Sequence, residues 1–455
     1  MTMITTKKSG TVLVFSAAIL LAIWPLPNTM GFRHLMLLTG FIAAAFVLLP
    51  NRHLFNSRQA WPIYFFFSFF IWLLFHLLMP SNHLADQWRE LTGDWLRNFL
   101  ASVIGLALGI VLSAPKTHLS SNFQKMQEPV LIWGLAGTTS IFCIRYIFEV
   151  FQTGQWIHSD FFMTPYLGKT PLVIFGGLLI PVMLIKAMDA LQGKERQVWY
   201  LYSFIGLLAT LLMFYFANTK NGFAMFALLL GVAFFAALKN LARVKVSLPK
   251  LGVFILVSVL IFGYVINKHI DTNPAWSNLA ADYKTSVKIE EHDNWKDKTS
   301  PLPINGNGIA VNGSTYERVA WARAGLELLI DHPLGYGLIN HSFGALAIQK
   351  WSDFHKPDGN NRGSTHSGWL DFTLGFGVPG LLMVCIPLIA SYVRARKRTD
   401  FWGAYAVWTI PLIGVSYLTT EVCTGHFIEL LFFLTAMFSG LTLKNCPEPI
   451  GENAG

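Results

Sequence analysis

Four cations and one imidazole fall where an otherwise apolar chain has least use for them. His366 is preceded by Arg362 and Thr365 and followed at once by an apolar run containing Gly368, Gly375, Gly377 and Gly380. Those glycines allow close backbone approach. A helix cap would explain Thr365 or Ser367 but does not ask for histidine. Imidazole is the side chain able to move a proton near neutral pH, so His366 is read as a candidate catalytic base. Arg318 has no acidic residue three or four positions away, whereas Arg323 has Glu327 at i+4 and is accounted for by an ordinary ion pair. The helical face of Arg318 carries Trp321 and Gly325, which leaves its guanidinium to meet a partner outside its helix. Lys220 stands in the tight hairpin FANTKNGF, either as a snorkelling interfacial lysine or as a ligand contact. Arg145 lies inside an apolar run, where an ionisable residue is a functional candidate by default, although Glu149 is placed to neutralise it.

Arg145, Lys220, Arg318 and Arg362 together suit a phosphate-bearing lipid. Guanidinium is the preferred fork for phosphate oxygens, and a pyrophosphate leaving group needs its developing charge neutralised more than it needs a proton. Thr365 completes the candidate substrate-binding set. Many glycosyltransferases hold a divalent metal for that task with an Asp-x-Asp pair, and no two aspartates here have that spacing; the nearest approach is Glu291-His292-Asp293. A metal-free mechanism without a cofactor is expected.

These residues must be positioned by membrane helices. The chain has 455 residues, 53% of them hydrophobic and 13% charged, with mean hydropathy +0.47, a composition soluble domains rarely reach. Apolar runs long enough, or nearly so, to cross a bilayer as helix predict an all-α polytopic protein with about 12 transmembrane helices, near 12–28, 33–50, 61–79, 96–113, 130–151, 169–187, 198–217, 221–238, 251–267, 366–393, 402–418 and 425–443. With a cytoplasmic N-terminus, seventeen lysines and arginines from Lys7 to Lys444 fall on the cytoplasmic side, and the short outer loops hold five, Arg33, Arg89, Arg97, Lys169 and Lys220. This asymmetry predicts cytoplasmic termini. The net charge of +9 is then topological, and no nucleic-acid partner is expected. No small-residue cleavage site follows Trp24-Pro25-Leu26-Pro27, so the first helix is expected to be retained.

The organisation follows as 1–267 with nine spans, a long outer loop at 268–365, and 366–455 with three spans and a short tail. A loop of that length is functional or disordered. Its first half, rich in Asn, Gly and Pro around IEEHDNWKDKTSPLPINGNG, is expected to be mobile. In the second half Ser314 and Glu317 have capping-box spacing, and Val319, Ala322, Leu326, Leu329 and Ile330 predict an amphipathic helix ending at Asp331-His332-Pro333. A second short helix is expected from Phe343 to Trp351.

The stretch His366-Ser367, nine residues, Gly377, two residues, Gly380 resembles the signature of the O-antigen ligases and of the wider ligase and polymerase family. The stretch ERVAWARAGLELLIDHPLGYG, 317–337, is similar to that family's second element, an Arg followed by Trp with a Pro-x-Gly-x-Gly ending. The resemblance implies a GT-C-like fold and transfer of a polymeric glycan from undecaprenyl pyrophosphate to a sugar of the lipid A core. The reaction would take place at the periplasmic face of the inner membrane, without metal or ATP. It further implies that His366 is the catalytic base and Arg318 a pyrophosphate ligand. Where the family commonly has Arg after the hairpin Thr or Ser, this chain has Thr219-Lys220, which keeps the charge but loses bidentate binding.

Three other readings use the same features. An O-antigen polymerase would take another lipid-linked glycan as acceptor but usually carries two sizeable periplasmic loops. A protein O-oligosaccharyltransferase shares the His motif but often extends at its C-terminus. A lipid-linked glycan transporter would need no base and would place its charges near the bilayer midplane.

Overall fold

A computed structural model describes residues 2–78, 83–114, 121–156, 168–241, 262–268, 278–340, 342–354, 364–420 and 425–443, with isolated positions between 252 and 276. Ordered secondary structure among them is helical apart from one isolated bridge, Ile304 to Ala310. The chain is thus an all-α, polytopic membrane protein. Eight helices are long and apolar enough to cross a membrane, and three shorter apolar helices, Lys8–Ile23, Lys220–Ala233 and Gly425–Leu441, accompany them. About half of the ninth predicted run, 251–267, lies outside the described residues.

The elements are α1 (Thr2–Ile23), α2 (Met30–Leu48), α3 (Trp61–Leu78), α4 (Leu84–Glu90), a π-helical turn (Leu91–Trp95) leading into α5 (Leu96–Ser113), α6 (Ser121–Thr153), α7 (Lys169–Gly177), α8 (Leu179–Leu191), α9 (Val198–Phe216) and α10 (Lys220–Leu241). Then follow α11 (Leu279–Ser286), α12 (Gly313–Asp331), α13 (Ser342–Lys350), α14 (Gly368–Ala395), α15 (Phe401–Leu418) and α16 (Gly425–Leu441). Without a strong hydrophobic drive between helices in lipid, packing depends on close approach at small residues. The α5/α16 pair shows it: a Cβ at Gly105 would sit 2.2 Å from the Phe433 carbonyl oxygen, and one at Gly109 2.1 Å from that of Met437.

An aromatic cluster joins α3, the π turn, α14 and α16. Phe69 stacks on Phe372 with centroids 5.3 Å apart, and Trp95 meets Phe376 edge to face at 4.9 Å. Such pairs each add about 0.5–1.5 kcal/mol beyond area burial.

The segment between α10 and α14 has a core of its own. Ile289, Trp295, Val311, Tyr316, Trp321, Leu328, Phe343 and Phe354 are buried together and close against Leu370 and Leu374 of α14. The polar first half, expected to be mobile, contributes Ile289, Trp295 and Val311 to that core. Its asparagines serve as internal struts: Asn305 Nδ2 donates to the buried Asp282 carboxylate at 2.8 Å, and the Asn312 amide donates to the same group at 3.2 Å.

The predicted helix is α12, ending at Asp331, and the second short helix is α13. The face α12 buries carries Tyr316, Ala320, Trp321, Ala324 and Leu328, however, while Leu326 and Ile330 of the expected stripe are exposed. The predicted capping box is not formed. Asn312 is the N-cap, accepting from the Thr315 amide at 3.2 Å and from the Ser314 hydroxyl at 2.8 Å. Because Asp282 anchors the Asn312 backbone, the cap falls two residues before Ser314, and Glu317 instead pairs with Lys298. The Arg323 to Glu327 pair forms at 3.0 Å.

Candidate active site

His366 sits immediately before α14 and stacks on Trp321 of α12, ring centroids 5.2 Å apart and planes 27° apart. One helical turn toward the start of α12 lies Arg318, and one turn beyond Trp321 lies Gly325. A Cβ at Gly325 would come within 2.7 Å of Leu370 and 2.9 Å of Thr365. The face that Arg318 shares is therefore the face packed against the His366 segment, and the exposed guanidinium side chain extends from its edge. Trp321 is itself fixed: its Nε1 donates to the Trp295 carbonyl at 2.9 Å.

The His366 backbone takes φ 59°, the left-handed region. For an L-residue this costs roughly 1–2 kcal/mol, and conformations of this kind persist where surrounding structure over-determines them. Asp371, fully buried in the first turn of α14, supplies the restraint. Its carboxylate accepts from the Thr365 amide at 2.6 Å, the Thr365 hydroxyl at 2.7 Å and the Ser364 hydroxyl at 2.9 Å. Ser364 Oγ in turn accepts from the His366 amide at 2.9 Å. Thr365, expected among the substrate contacts, is 1% exposed and its hydroxyl is committed to Asp371. Its place is in the scaffold that sets His366.

The two motif segments interlock behind this loop. α14 is broken at Gly377, φ 71°, ψ −179°. Carbonyls freed by the break are taken up from outside the helix: Leu374 O accepts from the Tyr336 amide at 2.8 Å, Gly375 O from the Gly337 amide at 2.7 Å, and Phe376 O from Trp72 Nε1 at 2.8 Å. The Val378 amide donates to Pro333 O at 2.9 Å. Non-helical backbone at membrane depth is tolerated where protein satisfies it in this way. The approach requires glycine on both sides, since a Cβ at Gly335 would sit 2.3 Å from the Gly377 nitrogen and one at Gly377 2.4 Å from the Leu334 carbonyl carbon. Beyond the crossing, Glu90 of α4 accepts from the Ile339 and Asn340 amides at 3.2 and 2.8 Å, and the Tyr336 hydroxyl bonds His83.

Lys220 reaches the site from the α9–α10 hairpin. Asn218 turns the chain at φ 49°, a region in which Asn is enriched, and the Thr219 amide donates to Phe214 O at 3.1 Å. Asn221 Nδ2 donates to Thr419 O at 3.0 Å, tying the hairpin to the end of α15. Lys220, half-buried, is within electrostatic range of Arg318, which opposes its charge, and of Asp282, which favours it. Lys220 and Arg318, from distant parts of the chain, thus lie within electrostatic range of one another. Arg145, half-buried on α6, adjoins Tyr146, whose ring stacks on Phe216 at 4.2 Å, so it belongs to the same end of the bundle as the hairpin. Arg362 lies outside the described residues.

Residues 205–385 match the family model described as O-antigen ligase. The match supports membership of the chain in the O-antigen ligase and polymerase family. It includes the stretch holding Lys220, Arg318, Trp321, Arg362, Thr365, His366 and Asp371, and both interlocking glycine segments, but not Arg145. No curated protein matches the chain. Of the residues that build the site, Trp321 was visible only as a member of Arg318's face. Asp371 was hidden as a single carboxylate inside an apolar run, its signal being the Ser364-Thr365 pair six or seven residues before it.

Proposed function

We propose that the chain is an O-antigen ligase of the bacterial inner membrane. In this reading it transfers O-antigen polysaccharide from undecaprenyl pyrophosphate onto the lipid A-core oligosaccharide, at a periplasmic site with both termini cytoplasmic. The observation that carries the reading is the stack of His366 on Trp321, one turn from Arg318, with Lys220 in electrostatic range of that arginine. A proton acceptor held near one cation, with a second cation in that cation's range, supports the reading, since a displacement at a pyrophosphate-activated sugar needs a base and charge neutralisation together.

In the proposed step the acceptor hydroxyl oxygen attacks the anomeric carbon and its proton passes to His366. The bond between that carbon and the pyrophosphate oxygen breaks, and the electron pair leaves with undecaprenyl pyrophosphate. Arg318 and Lys220 stabilise the charge that develops there, with Arg145 and Arg362 as further contacts to the phosphates. A single displacement inverts the anomeric configuration. The cations take the part a divalent metal plays in other glycosyltransferases.

The test is purified protein incubated with radiolabelled lipid-linked glycan and lipid A-core. Label transferred to the core lipid is expected. Label appearing only as longer lipid-linked chains would assign a polymerase, transfer only to added protein acceptors an O-oligosaccharyltransferase, and no covalent product with label crossing a vesicle membrane a transporter.

A further inference from the structure

A cavity of about 110 Å³ lies at the junction of α2, α5 and α16, lined by Met30, Arg33, His34, Arg97, His426 and Glu429. It is outside the segment matched to the family, and none of its residues enters the chemistry above. Glu429, 3% exposed, anchors it. One carboxylate oxygen accepts from Trp24 Nε1 at 2.7 Å and the other from Arg97 Nε at 2.9 Å, while Arg97 also pairs with Asp94. Gly425 lets the backbone close over this cluster, since a Cβ there would sit 3.0 Å from Asp94 Oδ1. The acidic groups are therefore engaged by Arg97 and Trp24.

Arg33 is bound differently. Its Nη1 donates to the Trp24 carbonyl at 3.3 Å, and its Nε is buried with no hydrogen-bond partner among the described residues. His426 Nε2 is buried in the same condition. Glu429 is within electrostatic range of Arg33, but both its oxygens are already hydrogen-bonded. Buried polar atoms of this kind are rare because they are costly, and here two belong to residues lining one cavity. Both residues line the cavity, so an acceptor-rich anion seated there lies beside both side chains. The flank of α2 beside the cavity is apolar and exposed: Met30, Phe32, Leu35 and Leu38 are 57%, 48%, 53% and 54% exposed. A headgroup seated on Arg33 and His426 would leave its acyl chains along that flank.

We propose that this cavity binds a phosphate ester, carried by a phospholipid headgroup of the surrounding leaflet, through Arg33 and His426. The site is independent of the ligase reading, and the test needs no turnover. Full-length protein is purified in detergent, and retained adducts are measured by native mass spectrometry with phosphatidylglycerol, with dioleoylglycerol lacking phosphate, and with inorganic phosphate as competitor. A phosphatidylglycerol adduct is expected that dioleoylglycerol does not give and that falls at least tenfold in Arg33→Gln and in His426→Gln. The wild-type headgroup comparison reads the proposal even where one variant fails to fold. Equal retention of dioleoylglycerol, or an unchanged adduct in a monodisperse variant, overturns it. Displacement of the lipid by low-millimolar inorganic phosphate overturns the assignment to a headgroup.

Discussion

The imidazole of His366 and the indole of Trp321 lie nearly parallel, 27° apart, with centroids 5.2 Å from one another. Trp321 is pinned from behind by the Trp295 carbonyl, and His366 from its backbone side by Ser364 and Asp371. The ring is set from two directions by residues 45 and 5 positions away in the sequence.

Trp321→Ala is expected to lower kcat for glycan transfer roughly 10²-fold, the size of loss that misplacing a catalytic group by about 1 Å produces, with KM for the acceptor changing much less. Trp321→Phe keeps an aromatic face and should recover most of the rate. Steady-state transfer assays on both variants decide it, and equal losses would assign the effect to the Trp295 hydrogen bond instead of the stack.

Asp371→Ala strips a fully buried carboxylate from one amide and two hydroxyls. Hydrogen bonds to a charged group contribute about 1.5–3 kcal/mol each, so thermal unfolding in detergent should begin several degrees lower, and transfer should be lost. Asp371→Asn retains one acceptor oxygen and should fall between. An Asp371→Ala protein as stable and active as wild type would contradict the bracing argument.

How much of this is legible in the sequence depends on whether the cause is local. His366, Arg318 and Lys220 are legible because a cation or imidazole near an apolar run has few structural uses, and Arg323 is legible as an ion pair because its partner is four residues on. The α12 cap lies two residues before its predicted place because Asp282, thirty positions earlier, holds the Asn312 amide, and no local pattern carries that. The order of the polar first half of the loop is illegible for the same reason: a few apolar residues among many polar ones find a core only when α12 and α13 close over them. Gly377 is legible as permissive and Gly335 as part of the Pro-x-Gly-x-Gly ending, but that they face one another is a tertiary fact.

Gly335→Ala and Gly377→Ala should each prevent proper assembly, since the added methyl meets backbone at 2.3 and 2.4 Å and neither neighbour is a side chain that could swing away. Positive φ at both positions adds to the penalty. Size-exclusion profiles of detergent-extracted protein check this. A monodisperse, active Gly377→Ala would mean that the break in α14 is dispensable.

Lys220→Arg should keep or improve transfer, because charge is retained and a bidentate fork gained, whereas Lys220→Ala should lower kcat/KM about tenfold or more. Arg318→Lys is expected to be severely impaired, by roughly 10²-fold. In a double-mutant cycle the losses of Lys220→Ala and Arg318→Lys should be non-additive, as for residues that act on one group. Strict additivity would place the two cations on different parts of the substrate.

The central claim is that His366 takes the proton of the acceptor hydroxyl. The most direct measurement compares purified wild-type and His366→Ala protein for both binding of the lipid-linked donor and transfer to lipid A-core. The account predicts unchanged donor affinity with transfer reduced by at least the 10²–10⁴-fold that a positioned base contributes. Transfer at near wild-type rate by a folded His366→Ala protein would contradict it.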